Sequence, residues 1–175
     1  MTASFTERAR RVRLVIFDVD GVLTDGSLFL DDDGRQYKAF NSKDGLGLRM
    51  LMDSGVQVGI LTGRRSGVVE HRMRELGIRL VVQGRRDKQV ALEGLLAEAG
   101  VDAGDTAYVG DDLVDLPVMR RVALAVAVAD AHPLVREQAH YVTQQPGGRG
   151  AAREVCESIM EAQGTLQAAV AAFLQ

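Results

Sequence analysis

Short apolar runs rich in β-branched residues alternate along this chain with longer segments whose apolar and polar positions follow the turns of a helix. The runs at 13–17, 56–61, 79–82, 106–109 and 122–126 lack a polar/apolar alternation, as expected of strands covered on both faces. Helical patterns occupy 45–54, 66–76, 88–99 and 113–121. Repeated strand–helix–strand order predicts an α/β fold, a parallel sheet with right-handed crossovers and helices on both faces. Ligands of such sheets bind beyond the carboxyl ends of the strands, near a change in strand order.

One stretch breaks the rhythm. Residues 26–40, GSLFLDDDGRQYKAF, predict a small β-hairpin turned through Asp32-Asp33-Gly34 and standing over the end of the first strand. After Thr143, QQPGGRG reads as a flexible turn and AAREVCESIMEAQ as a helix, with Gly164 separating it from an apolar, Ala-rich end at 165–174. The chain divides on this basis into a domain at 1–162, with a hairpin flap at 26–40, and a C-terminal tail at 163–175. Removing residues 147–175 is then expected to change turnover or product release more than melting.

Composition narrows the function classes. A length of 175 residues suits one domain with a real core. With 21 basic and 24 acidic side chains the net charge is -3, which gives no general attraction to nucleic acid or to an anionic membrane. Aromatic residues at 5% are too sparse to build stacking platforms for single-stranded nucleic acid. Cys156 is the one cysteine, which excludes an intrachain disulfide and a cysteine-rich zinc site, and its place is an apolar helical position. The opening MTASFTERARRVR lacks the apolar stretch of a signal peptide, and no run approaches the ~20 residues that cross a bilayer. A cytoplasmic protein with no membrane partner is expected. His71, His132 and His140 are scattered and read as structural or surface residues. Asp31, Asp32 and Asp33 read as a solvated hairpin tip, because the loop lacks the twelve-residue ligand pattern of an EF-hand.

The chemistry gathers where strands end. The first strand is followed by Asp18 and Asp20, the second by Thr62-Gly63-Arg64, and the fourth by GDDLVD with Asp111, Asp112 and Asp115. Lys88 opens the helix after the third. In a parallel sheet these four clusters converge on one edge. Carboxylates crowded there repel one another unless a hard oxygen-binding cation such as Mg²⁺ lies among them. A carboxylate nucleophile can then form an aspartyl-phosphate, a second carboxyl can move the proton, and Thr62 and Lys88 can steady the transferring phosphoryl group. Asp25 is better suited to ordering the start of the hairpin.

These motifs resemble the haloacid dehalogenase superfamily of aspartate-nucleophile phosphatases: DVDGVLTD matches the first motif, LTGR the second, Lys88 the third and GDDLVD the fourth. The resemblance implies a Rossmann-like fold, Asp18 as nucleophile, Asp20 as acid/base, and Mg²⁺ held by Asp18, the Asp20 main-chain carbonyl and Asp111. Asp112 or Asp115 would support the metal shell, through water or through Lys88. Only the hairpin follows the first motif, and 82–88 leaves no room for an insertion, so no cap domain is expected. FNSKDGLGLRML, LTGRRS, GRRDK and PGGRGAARE are similar to the capless 3-deoxy-D-manno-octulosonate 8-phosphate phosphatases over roughly 13–160.

That second resemblance implies a sugar-acid phosphate substrate in lipopolysaccharide biosynthesis. It also implies a homotetramer with active sites at subunit interfaces, where the Gly-rich C-terminal segment closes a neighbour's site. Gly63, Arg64, Lys43 and Arg149 are the candidate substrate-binding residues, with Arg85 and Arg86 as further candidates. A nine-carbon sugar acid 9-phosphate, or a non-catalytic phosphate-binding or scaffold role, are the alternatives. A phosphomutase would want a cap, and a phosphonatase an extra lysine.

Overall fold

Four of the five uninterrupted apolar runs form interior strands of one sheet, whereas the run at 79–82, expected to be covered on both faces, forms a half-buried strand at its edge, where only one neighbour flanks it. The computed structural model describes residues 3–85 and 87–174, so the expectation for Arg86 lies outside the described residues. Strands β1 (Leu14–Phe17), β4 (Gln57–Thr62), β5 (Leu80–Gln83), β6 (Thr106–Gly110), β7 (Leu124–Ala127) and β8 (Tyr141–Val142) pair in parallel in the order β5-β4-β1-β6-β7-β8. Every side chain of β1, β6 and β7 is buried, which explains why these runs carry no polar alternation. The remaining pair, β2 (Phe29–Leu30) and β3 (Gln36–Tyr37), forms the antiparallel flap.

Helices cover both faces. One face carries α1 (Phe5–Ala9), α2 (Ser42–Asp53) and α7 (Ala151–Gln163), with α3 (Gly67–Leu76) beside α2. The other carries α4 (Lys88–Ala99), α5 (Leu116–Met119) and α6 (Pro133–Gln138). The chain steps from β1 outward to β4 and β5, then returns to β6 on the far side of β1. The strand order therefore reverses between β1 and β6, and their carboxyl ends open the crevice where such sheets hold ligands. Among the described residues no cap domain interrupts this path.

Several elements depart from the sequence-based expectation. Helix α2 starts at Ser42, three residues early, because the Asn41 side chain accepts from the Lys43 N–H at 2.8 Å and caps it. The segment at 113–121 is a 3-10 turn followed by the four residues of α5; Asp112 caps the turn and Pro117 sits at the start of the helix. Strand β7 lies two residues later than its expected start. Helices α1 and α6 and the two-residue β8 were not predicted.

QQPGGRG is a docked turn, not a flexible one. The Gly147 N–H donates to Asp130 at 2.9 Å and the Gly148 N–H to the Val22 carbonyl at 2.8 Å. A Cβ on Gly147 would run into the Gly21 carbonyl, and one on Gly148 into the Thr24 backbone. Behind it, α7 lacks a capping side chain of its own, and Asp44 of α2 accepts from the Gly150 and Arg153 N–H groups in its place, at 3.3 and 2.8 Å. Gly47 lets the two helices close, since a Cβ there would stand 3.0 Å from the Arg153 Cα.

Six residues of α7 are buried: Ala151, Ala152, Val155, Cys156, Ile159 and Met160. The large ones alone are worth about 1.5–3 kcal/mol each, a sizeable share of the roughly 5–15 kcal/mol that holds a domain folded. Removing 147–175 therefore takes out core, and the expectation that turnover would suffer more than melting does not survive. Beyond Gly164 (φ 74°), α8 (Leu166–Ala171) packs through Leu166 and Ala169 and leaves Phe173 and Leu174 exposed.

The docked turn gives a stability test. Gly148 combines a φ of 65° with contact against backbone, so Gly148→Ala should cost about 1–3 kcal/mol and depress turnover through the loop it presses on. Gly164→Ala, with nothing within 4 Å of the added carbon, should cost only about 1 kcal/mol. Urea unfolding of the two variants makes the comparison.

Candidate active site

Asp18 is the first residue beyond β1 and is 6% exposed. Its Oδ1 accepts from the Val19 N–H and its Oδ2 from Lys88 Nζ, both at 2.6 Å. The loop that follows winds around the Val19 carbonyl, which accepts from the N–H groups of Val22, Leu23 and Thr24. Gly21 turns it at φ 86°, where a Cβ would collide with the Asp111 carboxylate. Glycine here lets the first acidic loop lie directly against Asp111, the residue that follows β6.

Asp115 is fully buried, and four donors surround its carboxylate. Oδ1 accepts from Lys88 Nζ at 2.7 Å and from the Tyr108 hydroxyl at 2.6 Å. Oδ2 accepts from the N–H groups of Asp111 and Asp112 at 3.0 and 3.2 Å. Gly110 makes room for it, since a Cβ there would lie 2.7 Å from the Asp115 side chain. Lys88, 4% exposed, thus bridges two carboxylates, and Asp87 caps its helix by accepting from the N–H groups of Gln89 and Val90 at 3.1 Å. Asp112 is exposed and caps the 3-10 turn through the Leu113 N–H at 2.8 Å.

Electrostatics follow from this crowding. Burial, reinforced by Asp115, Asp18 and Asp112, pushes the Asp111 carboxyl up to about 8 against the pull of Lys88. Burial likewise raises Asp18, to about 6, while Lys88 draws it down. For Lys88, burial works against the charge, but Asp115 and Asp18 outweigh it and raise its pKa. Among the described residues, Asp18, Asp111 and Asp115 can place carboxylate oxygens within 4.8 Å of one another. An all-oxygen set with a carboxyl that resists ionising fits a hard divalent cation.

A cleft of about 520 Å³ opens over these groups. Its walls bring together Asp18, Asp20, Thr62, Gly63, Arg64, Lys88, Asp111 and Asp112, from three strand ends and one helix start, with Gly26 and Leu28 of the flap. Thr62 is the buried last residue of β4; its hydroxyl accepts weakly, at 3.5 Å, from the Arg64 N–H. Lys43 and Arg149 are not in this cleft. They line a separate groove that runs along α7 beside the 141–145 segment, and Arg149 reaches Asp25, one residue from the cleft wall, at 3.4 Å. Arg85 is exposed.

Two side chains escaped the sequence reading. Tyr108, buried inside β6, braces both Lys88 and Asp115, yet it reads as ordinary strand core. Lys38 leaves the flap to pair with Asp20, and nothing in a hairpin pattern tells which lysine turns inward.

Comparison with known proteins agrees with this geometry. Residues 80–154, which carry Lys88 and GDDLVD, match the haloacid dehalogenase-like hydrolase family. A 3-deoxy-D-manno-octulosonate 8-phosphate phosphatase of Yersinia pestis is 51% identical over 93% of this chain and 87% of its own length. The Moraxella catarrhalis enzyme of that name, crystallised with magnesium, phosphate and the sugar acid, is 41% identical and superposes with a TM-score of 0.93 over 96% of this chain and 97% of its own. A cobalt-bound Haemophilus influenzae homologue gives 42% and 0.92, over 96% and 99%. The chain belongs to the haloacid dehalogenase-like hydrolases, within the 3-deoxy-D-manno-octulosonate 8-phosphate phosphatase family.

Proposed function

We propose that this chain is a Mg²⁺-dependent phosphoric monoester hydrolase that converts 3-deoxy-D-manno-octulosonate 8-phosphate to the free sugar acid and phosphate. The observation that carries the reading is the buried Asp18–Lys88–Asp115 chain at the floor of the cleft, with Asp111 against it. In this reading the Asp18 carboxylate attacks phosphorus and the bond to the sugar oxygen breaks. Asp20 gives that oxygen a proton, then takes one from the water that cleaves the aspartyl-phosphate. Thr62 and Lys88 hold the phosphoryl oxygens, and Gly63 and Arg64 the neighbouring substrate groups. Bound Mg²⁺, held by Asp18, the Asp20 carbonyl and Asp111, offsets the carboxylates and polarises the phosphoryl group. Asp115, its carboxylate taken up by four donors, serves as the support that positions Lys88, and Asp112 does not compete for that role.

Assembly and place belong to the same reading. Leu28, Phe29, Leu30 and Tyr37 are 47–63% exposed on the flap, an apolar surface suited to contact between copies. A homotetramer joined there would let Lys43 and Arg149 meet the substrate of a neighbouring copy. A sugar phosphate does not cross a bilayer unaided, and no helix among the described residues is long and apolar enough to span one. The enzyme is assigned to the cytoplasm.

Phosphate release in Mg²⁺ should favour the eight-carbon acid phosphate. A clear preference for the nine-carbon 9-phosphate reassigns the substrate, and no release from either by folded protein makes this a phosphate-binding domain. Asp18→Asn should lower kcat at least about 10³-fold with the fold preserved by circular dichroism; substantial remaining Mg²⁺-dependent turnover refutes the nucleophile.

The metal has a pH signature. Asp111 rises from 3.8 to about 8 on folding, so between those values the folded state holds a proton that the unfolded state releases. Stability of the metal-free protein therefore falls as pH rises through that window. Mg²⁺ displaces the proton, so the gain in melting temperature on adding it should grow from pH 5 to pH 8. Asp111→Asn should flatten the metal-free slope and lose most of the gain, as read by differential scanning fluorimetry with EDTA or Mg²⁺.

A further inference from the structure

The flap is solvated nearly throughout, with Phe29, Leu30 and Tyr37 each more than half exposed. Lys38, the residue after β3, breaks that pattern: its side chain is 2% exposed and its ammonium donates to Asp20 Oδ1. Lysine ordinarily keeps its ammonium in water and is rarely buried unless paired. The other oxygen of the same carboxyl, Oδ2, lies 3.7 Å from Nε of Arg64, which lines the cleft. Two cations on separate elements therefore hold the Asp20 carboxyl, one at each oxygen. The grip from the flap is the dry one, since the Arg64 side chain is 55% exposed.

We propose that Lys38 is a positioning residue for phosphoryl transfer: by fixing Asp20 Oδ1 it leaves Oδ2 on the cleft side, facing the oxygen that departs from phosphorus. The inference rests on the reading of Asp20 as acid/base given above. As the bond from an Asp18 oxygen to phosphorus forms and the bond from phosphorus to the sugar oxygen breaks, the Asp20 proton moves to that oxygen, which leaves as a hydroxyl. Asp20 recovers a proton from the attacking water in the second step, so the cycle closes. A carboxyl released from Lys38 has other staggered rotamers open to it and spends less time aligned. On this account the flap takes part in the chemistry as well as covering the cleft.

Leaving-group dependence tests this separately from any structural role. An alkoxide needs the Asp20 proton as it departs, whereas 4-nitrophenolate is stable as an anion and does not. kcat/KM, which senses no step after the first irreversible one, is measured on 3-deoxy-D-manno-octulosonate 8-phosphate and on 4-nitrophenyl phosphate. Lys38→Met should lose about 10²-fold on the sugar phosphate and less than about fivefold on the aryl phosphate. Lys38→Arg should recover most of the loss, and Lys38→Met added to Asp20→Asn should cost little more. Equal losses on both substrates for Lys38→Met, while Asp20→Asn shows the split, overturn the role of Lys38 alone. Equal losses for Asp20→Asn itself remove the acid/base reading and this inference with it. Should methionine disrupt folding, Lys38→Gln carries the same comparison, with the split expected and equal losses overturning the proposal.

Discussion

A single buried ammonium holds the site together. An isolated Lys88 charge at that depth would cost several kcal/mol, and so would an isolated Asp18 or Asp115. Placed 2.6 and 2.7 Å from the ammonium, the two carboxylates turn three isolated costs into one hydrogen-bonded chain with a single negative charge left over, and the Tyr108 hydroxyl and two backbone N–H groups fill the remaining sites on Asp115. Adding Asp111 sets three carboxylates against one ammonium. The excess of two negative charges equals the charge of one divalent ion, and without a counter-charge Asp111 resists ionising.

The fold delivers these groups by a reversal of strand order. Because β1 lies between β4 and β6, Asp18 has Thr62 on one side and Asp111 on the other, and α4 brings Lys88 up from beneath the sheet. Two glycines fix the fine spacing: Gly21 lets the first loop touch Asp111, and Gly110 lets Asp115 fold back under β6. Neither neighbour could approach so closely past a side chain.

What the chain disclosed before folding follows from the same geometry. Asp18, Thr62, Lys88 and Asp111 were legible because each ends or follows an apolar run, and a parallel sheet fixes where such residues go. Asp112 and Asp115 were indistinguishable in GDDLVD until the turn after Asp112 showed which carboxylate points inward. Tyr108 was hidden by its strand, and Lys38 by a hairpin whose register does not say where a long side chain ends. Some misses had signals. Ser4 and Glu7 form a capping box that announces α1, and His132-Pro133 opens α6 with a cap and a proline at its first position. The two residues of β8 carry no periodicity to detect. PGGRG suggested mobility because its glycines also serve close packing, and only the neighbouring loop distinguishes the two.

That docking has a bearing on how the enzyme comes into being. The loop bearing Asp18 and Asp20 leaves the ribosome first, and the backbone that buttresses it, at Gly147 and Gly148, is translated more than a hundred residues later, with α7 following. A growing polypeptide can assemble β1 and β4 long before it can lock that loop. Catalytic competence should therefore switch on only once that segment has been made, so nascent products truncated before Gly147 are not expected to consume the substrate.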